Sequence, residues 1–165
     1  MILTVTPNPC VDRTIYVDHL RPGEIVRART SDVIAGGKGN NVARVVHTLG
    51  EPVRPVILAG GETGELIGRL LRERDGLEPA VSEISGASRE VVTILEEPTG
   101  RQSAYVEPGP VVGADEIAAF VSLVSSAMDQ AELAVLSGSV PCEAMTDVYA
   151  RLIAVGRERG TPGHP

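Results

Sequence analysis

The chain has 165 residues, of which 42% are hydrophobic and 22% are charged, the balance of one soluble globular domain rather than of a disordered chain. Its net charge of -7 argues against nucleic acid or an anionic membrane as the main partner. No apolar run approaches the roughly 18 residues that span a bilayer, and no basic segment marks a signal peptide. Cys10 and Cys142 lack the spacing of metal ligands, so we expect a cytoplasmic protein with unpaired thiols and no metal site on this chain.

The first predicted elements include both buried segments and half-wet segments, that is, segments with one face exposed to solvent. Residues 2–6 form an apolar, β-branched run that stops at Pro7-Asn8-Pro9, which predicts a buried strand followed by a rigid turn. Residues 14–18 and 24–34 alternate polar and apolar positions, which predicts strands with one wet face. A glycine-rich turn at 35–41 then leads into a predicted helix. Its apolar residues, which recur at helical spacing, are Val42, Val45, Val46 and Leu49.

The rest of the chain continues the alternation of strands and helices. The predicted elements are a strand at 53–59, a helix at 62–75, short strands at 90–95 and 102–106, a helix at 114–129, a strand at 133–136 and a helix at 143–159. This order predicts an α/β domain with a largely parallel sheet flanked by helices. The half-wet segments near 14–34 and 80–106 predict a second, small sheet. Residues 161–165 contain two prolines and a glycine, so we expect no further central strand there.

The strongest local signal is Gly36-Gly37-Lys38-Gly39 followed by Asn40-Asn41 at the predicted start of the helix. A helix start presents free N–H groups to an anion, and Lys38 adds a positive charge, which suits a phosphorylated or polyhydroxy ligand. A plain glycine turn before a helix explains the same residues equally well. The phosphate-binding pattern GxxxxGK[ST] is absent, and the dinucleotide pattern GxGxxG has Val42 in place of its third glycine, so a dinucleotide-binding module is disfavoured.

Several segments together resemble the ribokinase-like, phosphofructokinase-B-type carbohydrate kinases, and within them the 1-phosphofructokinase and tagatose-6-phosphate kinase group. They occur in family order as TPNPCVDRT at 6–14, AGGKGNNVAR at 35–44, ILAGGETGELI at 57–67, VEPGP at 106–110 and LSGSVP at 136–141. The resemblance implies a ribokinase-like α/β fold in which the small sheet is a lid over the sugar. It also implies ATP-dependent phosphorylation of a phosphorylated ketohexose, such as fructose 1-phosphate, with ATP and magnesium ions as cofactors.

The resemblance also assigns substrate-binding residues. Asp12 matches the aspartate that holds sugar hydroxyls, and the family's glycine-rich loop maps to Gly36, Gly37, Lys38 and Asn41. The remaining matched positions, which lie on the lid or near the sugar's phosphate, are Arg27, Arg89, Glu107 and Ser139. The chain departs from the family pattern at three positions that bear on substrate choice. They are Asn40, where an aliphatic residue is usual, and Val91 and Val106, where asparagines are usual.

The resemblance covers the N-terminal half of such a kinase only. The family's nucleotide site, its Asn/Glu magnesium motif and its Gly-Ala-Gly-Asp loop with the catalytic aspartate are not found in residues 1–165. We therefore expect no catalytic residue on this chain and no activity from it alone. Its exposed sheet edge and its lid predict self-association or a lid-mediated homodimer. The alternative is a non-catalytic remnant that binds a sugar phosphate or nothing.

Overall fold

The computed structural model describes residues 1–159 and, as backbone, residues 163–164. The strands are β1 Ile2–Thr6, β2 Cys10–Val17, β3 Thr30–Gly36, β4 Val53–Ala59, β5 Ala80–Glu83, β6 Arg89–Glu96, β7 Arg101–Val106, β8 Leu133–Leu136 and β9 Gly163–His164. The α-helices are α1 Lys38–Thr48, α2 Gly61–Glu73, α3 Ala114–Met128 and α4 Val148–Glu158, and a 3-10 turn spans Glu143–Met145. The chain is thus an α/β protein, as the order of sequence patterns predicts.

The main sheet is parallel and has the strand order β5-β4-β1-β8-β9. Strand β4, which lies between β5 and β1, is buried on both faces, so successive side chains enter two different cores. Val56 and Leu58 pack toward α3 and α4 with Phe120, whereas Ile57 lies on the opposite face with Ile67 of α2. Helices therefore cover both faces of this sheet, and the parallel pairing of β1 with β8 places their carboxyl ends beside each other.

Pro55 lies inside β4, although proline has no N–H to donate to a neighbouring strand. It pairs with Thr4 of β1 on one side, and the pairing with β5 on the other side begins only at Val56. Pro55 therefore sits where β4 has a single neighbour, which explains why a proline is accepted in this strand.

A second sheet of four strands, with the order β3-β2-β6-β7, forms the lid sheet. Strands β2 and β6 run parallel, and the outer pairs are antiparallel. The lid sheet joins the main domain at Cys10, where β2 begins, because Cys10 pairs with both Gly36 and Arg89. That corner brings the glycine-rich turn and the start of β6 to the same place.

The structure corrects the sequence-based prediction at three elements. Residues 24–29 are not a strand, because β3 begins only at Thr30, and the connection between β2 and β3 is an exposed loop. Residues 80–83 form β5 of the main sheet and do not belong to the lid. The last predicted helix is divided into the 3-10 turn and α4, and Ile153 of α4 is 37% exposed. Beyond α4, Gly163–His164 forms a two-residue strand beside β8 at the edge of the sheet, which does not contradict the expectation of no further central strand. Thr161, Pro162 and Pro165 lie outside the described residues.

Two of the four apolar residues whose spacing predicts α1 lie outside its buried face. Val45 and Leu49 are 59% and 73% exposed, whereas Gly39, Asn40 and Ala43 are buried against the main sheet. Small side chains let the axis of α1 approach β1 closely, and the larger valine and leucine side chains face outward for that reason.

Candidate sugar-phosphate site

A crevice opens where the main sheet changes direction. From β1 the chain goes by way of the lid to β4 on one side, and β8 later pairs with β1 on the other side. In open α/β sheets, ligands bind at the carboxyl ends of strands at such a switch point. Here the turns after β1 and β8 meet, since the Asn8 Nδ2 donates to the Ser139 Oγ at 3.1 Å.

A cavity of about 350 Å³ occupies this crevice, and it contains most of the residues that the resemblance singles out. Its lining comes from the turn after β1, the start of α1, the lid strands and the turn after β8. The lining residues are Asn8, Cys10, Asp12, Gly37, Lys38, Asn41, Arg89, Val91, Val106, Gly138 and Ser139. The structure thus brings Asp12, Gly37, Lys38, Asn41, Arg89 and Ser139 together from distant parts of the chain.

The start of α1 points its free N–H groups toward this cavity. Gly37 has a φ of 117°, a left-handed conformation that favours glycine, and Lys38 is the first helical residue. The Asn41 N–H bonds the Gly37 carbonyl at 3.0 Å, so the amides of the three preceding residues have no partner within the helix. Together with the exposed ammonium group of Lys38, this helix start favours an anion.

Arg89 is held in place by Asn8, a residue that the sequence analysis did not single out. The Arg89 Nε donates to the Asn8 Oδ1 at 3.1 Å, and its Nη2 donates to the Asn8 carbonyl at 3.4 Å. Because Asn8 also donates to Ser139, its single amide joins the lid strand β6 to the turn after β8. The position of Asn8 between two prolines, directly after a buried strand, was the available signal.

Asp12 and Lys38 keep their charged groups free for a ligand. Within residues 1–159, no protein donor lies within hydrogen-bond distance of the Asp12 carboxylate, and no carboxylate pairs with the Lys38 ammonium. A carboxylate accepts hydrogen bonds only, so Asp12 suits ligand hydroxyl groups.

Three predicted residues do not line the cavity. Gly36 lies just behind it, where a Cβ would come within 2.4 Å of the Cys10 Sγ. Glu107 is exposed on the lid, where its Oε2 accepts the Glu90 N–H at 2.8 Å. Arg27 lies in the loop after β2 and lines a separate pocket beside His19. Strand β2 separates that loop from the cavity by about 20 Å, at roughly 3.3 Å per residue.

Comparison with known proteins decides the family. Residues 5–164 match the pfkB family of carbohydrate kinases. The chain belongs to this family. Among solved structures, it is similar to a possible 1-phosphofructokinase from Thermotoga maritima, with 28% identity and a TM-score of 0.91 over 99% of this chain and 52% of that one. It is also similar to the phosphofructokinase-2 of Escherichia coli in complex with fructose-6-phosphate, with 28% identity and a TM-score of 0.89 over 98% of this chain and 53% of that one.

A more distant structure shows the fold alone. It is the Arabidopsis thaliana ribokinase complexed with ribose and ATP, at 18% identity and a TM-score of 0.68 over 98% of this chain and 51% of that one. The fold is therefore ribokinase-like. The chain spans about half the length of each of these pfkB-type and ribokinase structures.

Asn40 departs from the usual pfkB pattern, and its amide has a structural task. It is fully buried, its Nδ2 donates to the Gly36 carbonyl at 2.8 Å, and its Oδ1 accepts the Thr6 hydroxyl at 3.3 Å. These bonds join the end of β1, the glycine-rich turn and α1 into one unit. The helix starts at Lys38 despite the departure, because both polar ends of the Asn40 amide are satisfied.

A larger groove of about 690 Å³ lies beside the start of α3, away from the switch point. Two carboxylates, Asp115 and Glu116, line it at the helix start, and Glu116 already accepts the N–H groups of Ser85 and Gly113 at 2.6 and 2.7 Å. These bonds hold the pKa of Glu116 below its usual value. The groove has no Lys, Arg or His in its lining, so it is a poorer candidate for a phosphorylated ligand than the cavity at the switch point, which contains Lys38 and Arg89.

Burial raises the pKa of the Cys10 thiol, although the positive charge of Arg89 opposes this effect. Cys10 is only 4% exposed, whereas Cys142 is half-buried. Alkylation requires the thiolate, so we expect iodoacetamide at pH 8 to modify Cys142 well before Cys10. Peptide mass spectrometry over a time course would measure both rates. Equal rates in the folded protein would contradict the prediction.

Proposed function

We propose that this chain binds the sugar phosphate for an ATP-dependent hexose-phosphate kinase that converts fructose 1-phosphate, or a similar ketose phosphate, to the bisphosphate. The observation that carries the proposal is the convergence of Arg89, Lys38 and the start of α1 on the cavity that also contains Asp12 and Asn41. A cytoplasmic location fits such an activity. The family supports a carbohydrate kinase, and the phosphofructokinase neighbours support a phosphorylated sugar.

The two kinds of group in the cavity suit the two parts of a sugar phosphate. Arg89 and Lys38 provide charge-assisted hydrogen bonds, which are about twice as strong as neutral ones, so they would hold the phosphate. Asp12 accepts from hydroxyl groups, and its position on β2 lets the lid contribute directly to recognition. Such contacts would fix the acceptor hydroxyl in one orientation, which is the main requirement of phosphoryl transfer.

ATP would supply the phosphoryl group, with magnesium ions as the resemblance implies. Within the described residues, no group of three His, Cys, Asp or Glu side chains could hold a metal ion. The contribution that these residues can make is to bind and orient the sugar.

Among the helices within residues 1–159, none has the length and apolar character that a membrane span requires.

Pairing of two lids is a further part of the proposal. Strand β7 is an edge of the lid sheet, and Tyr105 and Val106 on it are each 60% exposed. Arg27 lies at the end of β2 that is far from the cavity of its own chain. For an Arg27 side chain to contact the sugar's phosphate, it would have to come from the lid of a second copy of the chain. The Escherichia coli phosphofructokinase-2 has a tetrameric inhibited form.

The proposal predicts that the sugar's phosphate contributes strongly to binding. By isothermal titration calorimetry, fructose 1-phosphate or fructose 6-phosphate should bind at least tenfold more tightly than fructose, because a hydrogen bond to a charged group contributes about 1.5–3 kcal/mol. Asp12→Ala and Asn41→Ala should weaken binding of both fructose and its phosphates. Equal affinity of the protein for fructose and its phosphates would contradict the proposal.

A further inference from the structure

Arg44 lies directly behind Asn41, one helical turn further along α1. Its three side-chain nitrogens each have a different acceptor. Nε donates to the Asp75 Oδ2 at 2.7 Å, Nη1 donates to the Asn41 Oδ1 at 2.7 Å, and Nη2 donates to the Ala35 carbonyl. The guanidinium group is therefore fixed in its plane from three sides.

Asp75 anchors this arrangement from the opposite end. Its side chain is 7% exposed and that of Arg44 is 24% exposed, so the ion pair is shielded from water. The Asp75 backbone N–H bonds the Leu70 carbonyl, which attaches the residue to the end of α2. Arg44 thus joins the end of α2, the end of β3 and the start of α1.

The contact with Arg44 decides which end of the Asn41 amide faces the cavity. Arginine has donors only, so the Asn41 atom that meets Nη1 must be the carbonyl oxygen. The Asn41 NH2 group is then the free end, and within residues 1–159 no protein atom accepts from it. Asn41 lines the cavity, so it offers donors to a ligand there.

We propose that Arg44, anchored by Asp75, is a positioning residue that locks Asn41 as a hydrogen-bond donor toward the substrate. This inference rests on the proposed function for the identity of the ligand. Asp12 then only accepts and Asn41 only donates, a combination that a sugar hydroxyl satisfies because it can do both. A ligand that presents only donors, such as an ammonium group, to Asn41 is rejected.

The first test needs no ligand. The side-chain NH2 signals of Asn41 can be assigned in 15N–1H spectra of the protein by their loss in Asn41→Ala. These signals should shift in Arg44→Lys, because one ammonium group cannot reach three separate acceptors. Arg74→Lys is the matched control, because Arg74 pairs with Asp32 through both terminal nitrogens but lies away from the cavity. Unchanged Asn41 signals in Arg44→Lys would overturn the inference. If that variant fails to fold, Asp75→Asn should produce the same shift.

The second test is a double-mutant cycle measured with fructose 1-phosphate as the probe. Arg44→Lys should weaken binding about two- to twelvefold, the range expected for one neutral hydrogen bond. In the Asn41→Ala background, the same change should alter affinity less than twofold, because Arg44 acts through Asn41. An equal loss in both backgrounds would show a merely structural role and would overturn the inference. If the parent protein does not bind the probe, the proposed function fails, and the NMR test still decides the role of Arg44.

Discussion

Gly39→Ala is expected to lower the free energy of unfolding by about 1–3 kcal/mol, the usual cost of overpacking a core. A Cβ at this position would lie 2.3 Å from the Thr6 Oγ1 and 2.8 Å from the Val5 carbonyl oxygen. Part of the obstacle is backbone, so α1 itself must move away from β1. Because α1 carries Lys38 and Asn41, binding of fructose 1-phosphate should weaken together with stability. Urea denaturation followed by circular dichroism would measure the first effect, and calorimetry the second.

The matched control is Gly68→Ala, the same substitution inside another helix. Gly68 is also buried, but the nearest atom to its added Cβ is the Arg72 Nη1 at 3.5 Å, the end of a flexible side chain. Alanine in a helix is more stable than glycine by about 0.5–1 kcal/mol, so Gly68→Ala should raise the free energy of unfolding. Two changes of the same sign would contradict the view that α1 needs its close approach to β1.

The close approach of α1 to β1 is also a feature that local sequence patterns do not predict. Hydrophobic periodicity predicted that α1 exists, but its apolar stripe suggested the wrong buried face. Val45 and Leu49 are exposed, while Gly39 and Ala43 face the sheet. The distance between a helix and a sheet is a tertiary property, so it can reverse the face that local hydrophobicity favours. The strands at 2–6, 53–59 and 133–136 were predicted with their observed bounds, because a buried strand bounded by turn residues is a local signal.

The residues of the candidate site likewise include some that a short motif predicts and others that only the tertiary structure brings together. The glycine-rich turn and Asp12 are recognisable because they lie in short motifs. The role of Asn8 is not recognisable, although the residue lies between two prolines in one of these motifs, because its partners Arg89 and Ser139 are 81 and 131 residues away in the sequence. The position of Arg27 likewise depends on the direction in which β2 leaves the cavity, which a pattern of alternating residues does not specify.

The strongest expected effect on binding belongs to Arg89→Met. Arg89 lines the cavity, and its Nη1 has no protein partner within residues 1–159, which leaves a cationic donor for the sugar's phosphate. Loss of a hydrogen bond to a charged group costs about 1.5–3 kcal/mol, so affinity for fructose 1-phosphate should fall about 10- to 150-fold. Affinity for unphosphorylated fructose should change little. Methionine keeps much of the side-chain volume, which limits disturbance of Asn8.

Arg101→Met is the control for this experiment, because Arg101 lies on the same lid sheet at the opposite end of the β6–β7 pair. Its partner is Glu96 at the end of β6, whereas Arg89 is at the start of that strand. The side chain of Arg101 is 77% exposed, so Arg101→Met removes a lid charge that lies away from the cavity. Calorimetric titrations of both variants with fructose and fructose 1-phosphate would separate charge recognition from general damage to the lid. If Arg89→Met weakened both ligands equally, Arg89 would shape the cavity through Asn8 rather than bind the phosphate.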